Sequence, residues 1–287
     1  ICVETNATSS VKIENKTKAI FSVPIYGNPC EMDDILSICK RHNLMLIEDC
    51  CESMGAKYKD KYVGSFGRIA SFSFYYSHHI TTLEGGICVT DDHELSEMMR
   101  IVRAHGWVRQ VENKNKWIEM YKDFDPKFLF VNDGYNLRIT EPQAAMGLLQ
   151  IDKIDKFIDN RKSNAKKYYN ELKSLGDFFS FQTTTKHSEN SHFGFPMIVK
   201  NNKYFSRDEI CTYLNNCGVE TRPIIAGNLA RQPANNLFEH RISGKLSNSD
   251  TIMDNGFSVG VHQSLANDAI YYVTGKIKEF INKRTKK

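Results

Sequence analysis

The sequence contains little of what marks a membrane, fibrous or disordered protein. No apolar run approaches the roughly 20 residues that span a bilayer, and the first residues lack the charged-then-apolar pattern of a secretion signal. Seven prolines and 17 glycines among 287 residues are too few for a collagen-like or disordered chain. We therefore expect a globular cytoplasmic protein that has no membrane partner.

Excess charge of one sign and paired cysteine motifs are also scarce. The 38 lysine and arginine residues outnumber the 34 acidic residues only slightly, for a net charge of +4, and they form no basic stripe. Nucleic acid is therefore not an expected partner. None of the eight cysteines has C-x-x-C spacing, which gives little support to a zinc or thioredoxin-like site. We interpret them as reduced core cysteines and predict no metal site.

Strand and helix patterns alternate in the first half of the chain, which predicts a mainly parallel sheet with crossover helices. Apolar residues at helical spacing, with two acids in the first turn, predict a helix over Met32–His42. The other elements predicted here are strands over 17–24, 43–49, 70–76 and 86–90 and a helix over 92–104. Residues 105–133 are predicted to form a loop, and loops of this length are usually functional or disordered.

The pattern changes in the second half of the chain. The predicted elements are a long helical stretch over about 140–175, strands over 193–199 and 219–224, and helices over 206–216 and 267–282. Those that follow the long helix predict a smaller α+β unit. We place the domain boundary so that residues 1–152 belong to a large domain and residues 153–287 to a small one.

Two segments carry residue types suited to chemistry, and the first ends at Asp49. This residue closes a predicted buried strand, and ligands of open α/β sheets bind outside the carboxyl ends of the strands. A carboxylate there can pair with a cationic ring nitrogen, as pyridoxal phosphate (PLP) requires. The equally weighted alternative is an acid that caps the next turn.

The second segment is SFSFYYSHHITTLEGG, residues 71–86. The Ser73 hydroxyl and the tight turn of a glycine pair suit a phosphate, and an imidazole from His78 or His79 suits proton transfer near neutral pH. Because adjacent histidines point in different directions, we expect only one of them in a site. The alternative is a histidine pair on a surface turn.

Taken together, the motifs of this chain resemble the DegT/DnrJ/EryC1/StrS sugar aminotransferases, which are fold-type I PLP proteins. The motifs are IEDCCESMGAKYKDKYVGSFG, SFSFYYSHHITTLEGG, RAHGW, GYNLRITEPQAAMGLLQ and the closing strand–helix unit. The resemblance covers essentially the whole chain. It implies an α/β fold-type I large domain followed by a small α+β domain. The N-terminal part of the family, about a hundred residues, has no counterpart, so we expect the chain to be a fragment.

One position departs from the aminotransferases. Their Schiff-base lysine lies five residues after the phosphate-binding serine, and the same count from Ser73 gives His78. No lysine occurs between Lys61 and Lys114. An imidazole cannot form a Schiff base, but it can remove a proton from the cofactor. The resemblance is therefore to the 3-dehydratase branch, which removes the C3 hydroxyl of nucleotide-linked 4-keto-6-deoxyhexoses in deoxysugar and O-antigen lipopolysaccharide biosynthesis.

This branch has two kinds of member. One acts on CDP-4-keto-6-deoxyglucose with a [2Fe–2S] cluster on cysteines before the GYN motif, and the other acts on GDP-4-keto-6-deoxymannose without a cluster. Residues 102–136 contain no cysteine, and a cluster needs about four thiolates. We therefore expect the GDP-linked substrate, glutamate as amino donor, PLP and its pyridoxamine form (PMP) as cofactor, and no iron–sulfur cluster.

Two alternatives stay open. The segments HFGFP and AGNLARQP resemble the iron–sulfur enzyme, so the CDP-linked substrate is the alternative within the branch. The alternative from another class is a cofactor-binding relative without turnover, because a fold does not guarantee chemistry.

The resemblance implies a role for each candidate residue. Asp49 pairs with the pyridine nitrogen, Glu52 lies near the ring hydroxyl, where the family usually has Gln, His or Asp, and Ser73 binds the phosphate. His78 is the catalytic base. Asn136 reaches the phosphate of the partner subunit, which implies a homodimer with shared active sites. Candidate contacts to the sugar or pyrophosphate, each with a structural ion pair or helix-end role as its alternative, are Arg138, His192, Arg222 and Arg231.

Overall fold

The computed structural model describes residues 13–201 and 203–285. Its α-helices are α1 (Met32–His42), α2 (His93–Val102), α3 (Lys114–Met120), α4 (Glu141–Ile151), α5 (Ile154–Leu172), α6 (Arg207–Asn216), α7 (Ser247–Asn255) and α8 (Asn267–Thr285). Its strands are β1 (Ala19–Ser22), β2 (Met45–Asp49), β3 (Lys57–Tyr58), β4 (Lys61–Tyr62), β5 (Ile69–Ser73), β6 (Gly86–Val89), β7 (Phe179–Phe181), β8 (Ser188–Glu189), β9 (Gly194–Val199), β10 (Arg222–Pro223) and β11 (Gly256–Gly260).

The first sheet has the strand order β1-β2-β5-β6. Strand β2 is parallel to both β1 and β5, whereas β6 is antiparallel to β5. The mainly parallel sheet predicted from the alternating pattern is thus found, with β6 as an antiparallel edge. The register pairs Asp49 with Ser71 and Ser73 with Gly86. The carboxyl ends of β2 and β5 therefore meet at one edge, beside the first residue of β6.

Helix α1 has the predicted bounds, because its local signals agree. Its apolar residues, including Ile35, are buried in a cluster with Ile20 of β1 and Leu46 of β2. Acidic residues occupy its first turn, where they favour the positive end of the helix dipole. Asn43 takes a left-handed conformation (φ 50°) that ends the helix. Helix α1 thereby covers one face of the sheet that carries Asp49.

Two consecutive acids end β2, and the strand points them to opposite faces. Glu48 is buried, with 1% of its surface exposed. Its carboxylate accepts backbone N–H groups from Gly64 and Phe66, both at 2.8 Å, and from Gly67 at 2.6 Å. Glu48 therefore fixes the loop before β5, since a buried carboxylate needs such partners. Asp49 lies on the other face, toward the sheet edge.

The second sheet has the order β10-β11-β9-β7, and every pairing in it is antiparallel. Its core includes residues of α5, α6 and α8, among them Tyr168, Ile210 and Ile277. The α+β character predicted for this half is found, but the predicted strand over 219–224 covers only Arg222–Pro223. Strands β7 and β11 and helix α7 were not predicted. The boundary between residues 152 and 153 stays a prediction.

Two further elements differ from the prediction. The long helix over 140–175 is divided at Asp152 and Lys153 into α4 and α5. The predicted loop over 105–133 contains α3, and residues Val108 and Leu129 within it bury apolar side chains against Ile101 of α2. Apolar contacts that join residues about 20 positions apart leave no local signal in the sequence.

A small third sheet joins the two halves of the chain. It has the order β4-β3-β8 and pairs Lys57 with Glu189 and Tyr58 with Ser188. Directly after β8, the Ser191 N–H donates to the Gly27 carbonyl at 3.1 Å. The segment that follows β8 is thereby held against the segment that follows β1.

Candidate active site

Asp49 lies at the carboxyl end of β2 and is half-buried. Its Oδ1 accepts the backbone N–H of Cys51 at 3.1 Å. This contact fixes one carboxylate oxygen, and the other oxygen can accept a further donor. The turn-capping role and the ligand-binding role considered for Asp49 are therefore compatible.

Ser73 ends β5 beside the same edge. Its Oγ accepts the backbone N–H of Tyr75 at 3.1 Å, so the hydroxyl hydrogen can be donated to a ligand. The turn after it is closed by bonds from the Phe74 N–H to the Gly85 carbonyl and from the Thr82 N–H to the Phe74 carbonyl, both at 2.9 Å. Gly85 (φ 157°) is required there, because a Cβ would overlap the Thr82 hydroxyl.

His78 is half-buried in this turn and its ring contacts the segment after β2. Nδ1 lies 2.8 Å from the Cys51 carbonyl. Because a carbonyl only accepts, Nδ1 carries the hydrogen, and Nε2 of the neutral ring has a free lone pair. Burial, as the largest cause, lowers the pKa of His78 below its ordinary value of 6.5. The side chain is therefore a neutral base at physiological pH.

His79 points elsewhere, as expected for adjacent residues. It is 1% exposed, and its Nε2 lies 3.3 Å from the Ser191 carbonyl. Burial and the nearby Arg161 lower its pKa to about 3, so it stays neutral. His78, rather than His79, faces the ends of β2 and β5.

Glu52 is also predicted to bind the cofactor. Its Oε2 accepts the backbone N–H of Tyr26 at 2.9 Å, and Tyr26 has a left-handed backbone (φ 57°) that is uncommon outside glycine. Burial, as the largest cause, raises the pKa of Glu52 to about 7, and the charge of Asp49 also raises it. Glu52 can therefore exist in both protonation states near neutral pH.

This raised pKa predicts a pH-dependent stability. A carboxyl whose pKa is higher in the folded than in the unfolded state stabilises the fold when protonated, and that contribution is lost as pH rises from about 4.5 to about 7. Glu52→Gln cannot ionise and keeps an acceptor for Tyr26. Between pH 5 and pH 8, the free energy of unfolding of the unaltered protein should therefore fall by on the order of 2 kcal/mol more than that of Glu52→Gln.

Urea titrations of the cofactor-free protein measure this difference. The matched control is Glu239→Gln, which removes an exposed carboxylate and should leave the pH dependence unchanged. An equal fall for Glu52→Gln and the unaltered protein contradicts the raised pKa.

Asn136 and Arg138 lie together on an exposed segment. The backbone around them is fixed to the end of α2, since the Tyr135 N–H donates to the Val102 carbonyl at 2.7 Å and the Leu137 N–H to the Arg103 carbonyl at 2.9 Å. The Asn136 Oδ1 accepts from the Arg138 guanidinium at 3.2 Å. Both residues are exposed.

The other three candidates differ in their relation to His78. His192 adjoins Phe193, whose ring lies 5.0 Å from that of His78, and burial lowers the pKa of His192 to about 4. Arg222 pairs with Glu220, and the Tyr76 hydroxyl beside it belongs to the His78 turn. Arg231 instead pairs with Asp250 at 2.9 Å and contacts the Lys245 carbonyl in its own loop. The structure thus brings His192 and Arg222 to the His78 turn and ties Arg231 to Asp250.

Sequence reasoning missed two contacts that shape this site. The Cys51 carbonyl sets the His78 tautomer, and the Phe193 ring packs on the imidazole. A backbone carbonyl leaves no trace in a sequence. Phe193 lies 115 positions from His78, and its motif HFGFP was the only available signal.

The donor set at this edge fits PLP. Asp49 offers a carboxylate for the ring nitrogen, Ser73 offers a hydroxyl donor for the phosphate, and His78 offers an unprotonated nitrogen. A carboxylate partner for the ring nitrogen is what this cofactor requires, the hydroxyl suits its phosphate, and the imidazole stands in place of the Schiff-base lysine.

The described ranges were also searched for other features. The cysteines at 30, 39, 50, 51, 88, 211 and 217 are free thiols, and Cys2 lies outside the described residues. Within residues 13–201 and 203–285, no group of three or more His, Cys, Asp and Glu side chains is placed to hold a metal ion. None of the helices in those ranges combines the length and the apolar character needed to cross a membrane.

Comparisons with known proteins relate the chain to one family. The profile of the DegT/DnrJ/EryC1/StrS aminotransferase family matches residues 2–278. A GDP-4-keto-6-deoxy-D-mannose 3-dehydratase of Escherichia coli O55:H7 is 38% identical over 269 residues, 93% of this chain and 69% of that protein. Its namesake in Yersinia pseudotuberculosis is 39% identical over 255 residues, 88% of this chain and 64% of that protein.

A solved structure agrees with these relatives. It is a crystal structure of GDP-4-keto-6-deoxymannose-3-dehydratase with a trapped PLP-glutamate geminal diamine, 34% identical, with a TM-score of 0.83. The match covers 94% of this chain and 70% of that chain. The fold-type I class predicted from the motifs is confirmed. The chain spans about two thirds of the length of these relatives.

Proposed function

This chain belongs to the DegT/DnrJ/EryC1/StrS aminotransferase family, and we propose that it is a PLP/PMP-dependent nucleotide-sugar 3-dehydratase. Its substrate is GDP-4-keto-6-deoxymannose, which loses the C3 hydroxyl, and glutamate is the amino donor. The observation that carries the proposal is His78, a neutral imidazole with a free Nε2 where the aminotransferases have a lysine. The relatives named for this reaction, at 38% and 39% identity, support it.

Each residue of the site has one task. The Asp49 carboxylate keeps the pyridine nitrogen protonated, so that the ring of the bound cofactor can accept electron density. Ser73 donates its hydroxyl hydrogen to the phosphate and fixes the position of the ring. Glu52, which accepts the Tyr26 N–H, would lie near the ring hydroxyl.

His78 carries the proton. Nδ1 donates to the Cys51 carbonyl and orients the ring, so that Nε2 would be the atom that takes the proton during dehydration. The Phe193 ring makes an edge-on contact with the imidazole and packs against it on one side. The C3 hydroxyl would leave as water with the proton that Nε2 returns, and a further water would release the sugar as a ketone together with ammonia. No lysine at this position would hold the cofactor covalently.

The complete active site is proposed to form in a homodimer. Asn136 and Arg138 are exposed, which suits contacts with the cofactor phosphate and the substrate across the interface. Helix α4 next to them has no buried residue, and Leu148 and Leu149 are 70% and 67% exposed. An apolar helix surface of this kind is typical of a protein interface. His192 and Arg222, at the His78 turn, are proposed contacts to the sugar or pyrophosphate, as is Arg231, which pairs with Asp250.

Further parts of the proposal follow from the family. The large domain ends at residue 152, the small domain begins at 153, and the protein acts in the cytoplasm in O-antigen deoxysugar biosynthesis. Free thiols at seven cysteines are consistent with a reducing compartment. The absence of cysteine from residues 102–136 supports an enzyme without an iron–sulfur cluster.

A turnover assay tests the reaction. The protein, expressed from its complete reading frame, is incubated with PLP, glutamate and either GDP-4-keto-6-deoxymannose or CDP-4-keto-6-deoxyglucose. We expect one 2-oxoglutarate and one ammonium ion per 3-deoxy sugar formed, and a kcat/KM for the GDP substrate at least about tenfold above that for the CDP substrate. An amino sugar formed without ammonium would identify an aminotransferase.

The motifs HFGFP and AGNLARQP favour the CDP-linked substrate as the second candidate. A preference for CDP-4-keto-6-deoxyglucose in the same assay selects it. If the protein binds the cofactor but forms no 3-deoxy sugar from either substrate, the proposed reaction is wrong. The chain is then a cofactor-binding relative without catalytic activity.

A further inference from the structure

Arg161 is a buried cation in the middle of α5. Only 2% of its surface is exposed, and burial lowers its pKa to about 10, so it keeps its charge at neutral pH. Its Nε donates to Gln263 Oε1 at 2.9 Å, and its Nη1 donates to the carbonyls of Phe193 at 3.1 Å and His192 at 3.4 Å. These acceptors are all neutral oxygen atoms. A buried charge without a charged partner is costly, and such groups are concentrated at functional sites.

The carbonyl contacts lead from Arg161 to His78. Phe193 is held at its carbonyl by Arg161 and at its N–H by the Tyr26 carbonyl, 3.2 Å away. Its ring then lies 5.0 Å from the His78 ring at an interplanar angle of 70°, an edge-on contact. The backbone on both sides of this aromatic ring is therefore fixed, and the guanidinium forms one of the two anchors.

The rest of the α5 surface strengthens this anchor. The Asn164 side chain donates to the His262 carbonyl at 3.0 Å and the Asn160 side chain to the Gln263 carbonyl at 3.2 Å. Gln263, the partner of the Arg161 Nε, is thus itself held by the helix. The Arg161 guanidinium therefore has little freedom to move, and its hydrogen bonds fix the backbone carbonyls of residues 192 and 193.

We propose that Arg161 is a positioning residue for His78. It fixes the backbone of residues 192–193 so that Phe193 holds the imidazole in place, and its buried charge opposes a second positive charge on that imidazole. The role in catalysis rests on the proposed function, in which His78 is the base, whereas the contact and the charge effect are independent of it.

The charge effect has a defined direction. Burial is the largest cause of the lowered pKa of His78, and Arg161 lowers it further, whereas the Cys51 carbonyl and the charge of Asp49 raise it. Tyr75, on the same turn, adds an edge-on ring contact at 5.8 Å. Removal of the guanidinium charge should therefore make His78 easier to protonate and reduce the fraction of neutral base.

Two substitutions separate the charge from the geometry. Arg161→Gln removes the charge, whereas Arg161→Lys keeps the charge but cannot reproduce the forked contacts to three oxygen atoms. The matched control Lys166→Gln removes an exposed charge from the same helix. For each variant, NMR of histidine labelled at the ring carbon follows the titration of His78, assigned by its absence in His78→Asn. The pH dependence of kcat is measured in parallel.

We expect Arg161→Gln to shift both the His78 titration and the acid limb of the kcat profile to higher pH. Arg161→Lys should leave both at their original pH and lower kcat about tenfold, with KM changed less than twofold. Lys166→Gln should match the unaltered protein. An Arg161→Gln titration that coincides with that of the unaltered protein overturns the charge effect, and an unchanged kcat for Arg161→Lys overturns the positioning role.

Phe193→Leu provides a test that does not alter the guanidinium. It keeps the backbone carbonyl and removes the ring, so it should reproduce the tenfold loss of kcat. If Arg161 acts through Phe193, the double variant Arg161→Lys/Phe193→Leu should lose no more than either single variant. A hundredfold, additive loss contradicts the proposed route. If the unaltered protein shows no dehydration, the proposed function fails, and the NMR titration still decides the charge effect of Arg161.

Discussion

Replacement of His78 by asparagine is expected to lower the rate of dehydration by about 10³-fold while the cofactor still binds. The asparagine amide can donate to the Cys51 carbonyl, as Nδ1 does now at 2.8 Å, so the turn keeps its shape. Its nitrogen has no basic lone pair, so no group at this position can accept the proton. The contacts offered by Asp49 and Ser73 are unchanged. Formation of 3-deoxy sugar and titration of cofactor absorbance measure the two effects separately.

The matched control is His240→Asn. His240 also places Nδ1 against a backbone carbonyl, that of Phe238 at 3.0 Å, but in an exposed loop. It should retain full activity. Borohydride reduction of the unaltered holoenzyme gives a second measurement, because residues 62–113 contain no lysine. Dehydration by His78→Asn within tenfold of the original rate, or a cofactor trapped on a lysine peptide, contradicts the assignment of His78.

The parts of the fold that could be predicted are those with local signals. Helix α1 has the predicted bounds, because its apolar spacing, its first-turn acids and its terminal Asn43 all act within a few residues. The position of Asp49 at a strand end could be predicted for the same reason, whereas the strand predicted over 70–76 ends earlier, at Ser73. The step of five residues from Ser73 to His78 is also local, so the central part of the site was accessible from the sequence.

The parts that could not be predicted depend on contacts between distant segments. Strands β3 and β8 are two residues long and pair across 130 positions, as Tyr58 with Ser188. Contacts between distant segments also explain two other features. These are the left-handed backbone of Tyr26 beside Glu52 and the burial of Arg161. Helical spacing places Arg161 on the same face as the buried Ile158 and Ala165, but its residue type argues against burial, because arginine is rarely buried. Its burial is understandable only with the carbonyls of residues 192–193 beside it.

Asp49→Asn should lower kcat by about 10²- to 10³-fold, the loss typical of removing one preorganised electrostatic partner. The amide oxygen can still accept the Cys51 N–H, now at 3.1 Å from Oδ1, so the end of β2 should keep its conformation. What is lost is the negative charge that holds a proton on the pyridine nitrogen. Since electron density flows into the ring only while His78 removes the proton, the loss should fall on kcat rather than on KM for the sugar.

The exposed turn between β3 and β4 offers the control Asp60→Asn. Asp60 has a left-handed backbone (φ 62°), which asparagine adopts readily, so this substitution removes one carboxylate at little cost to the fold. Its kcat should equal that of the unaltered protein. Steady-state kinetics with saturating glutamate compare the two variants. If Asp49→Asn raises KM and leaves kcat within threefold, Asp49 serves only to place the ligand, and the assignment to the ring nitrogen is wrong.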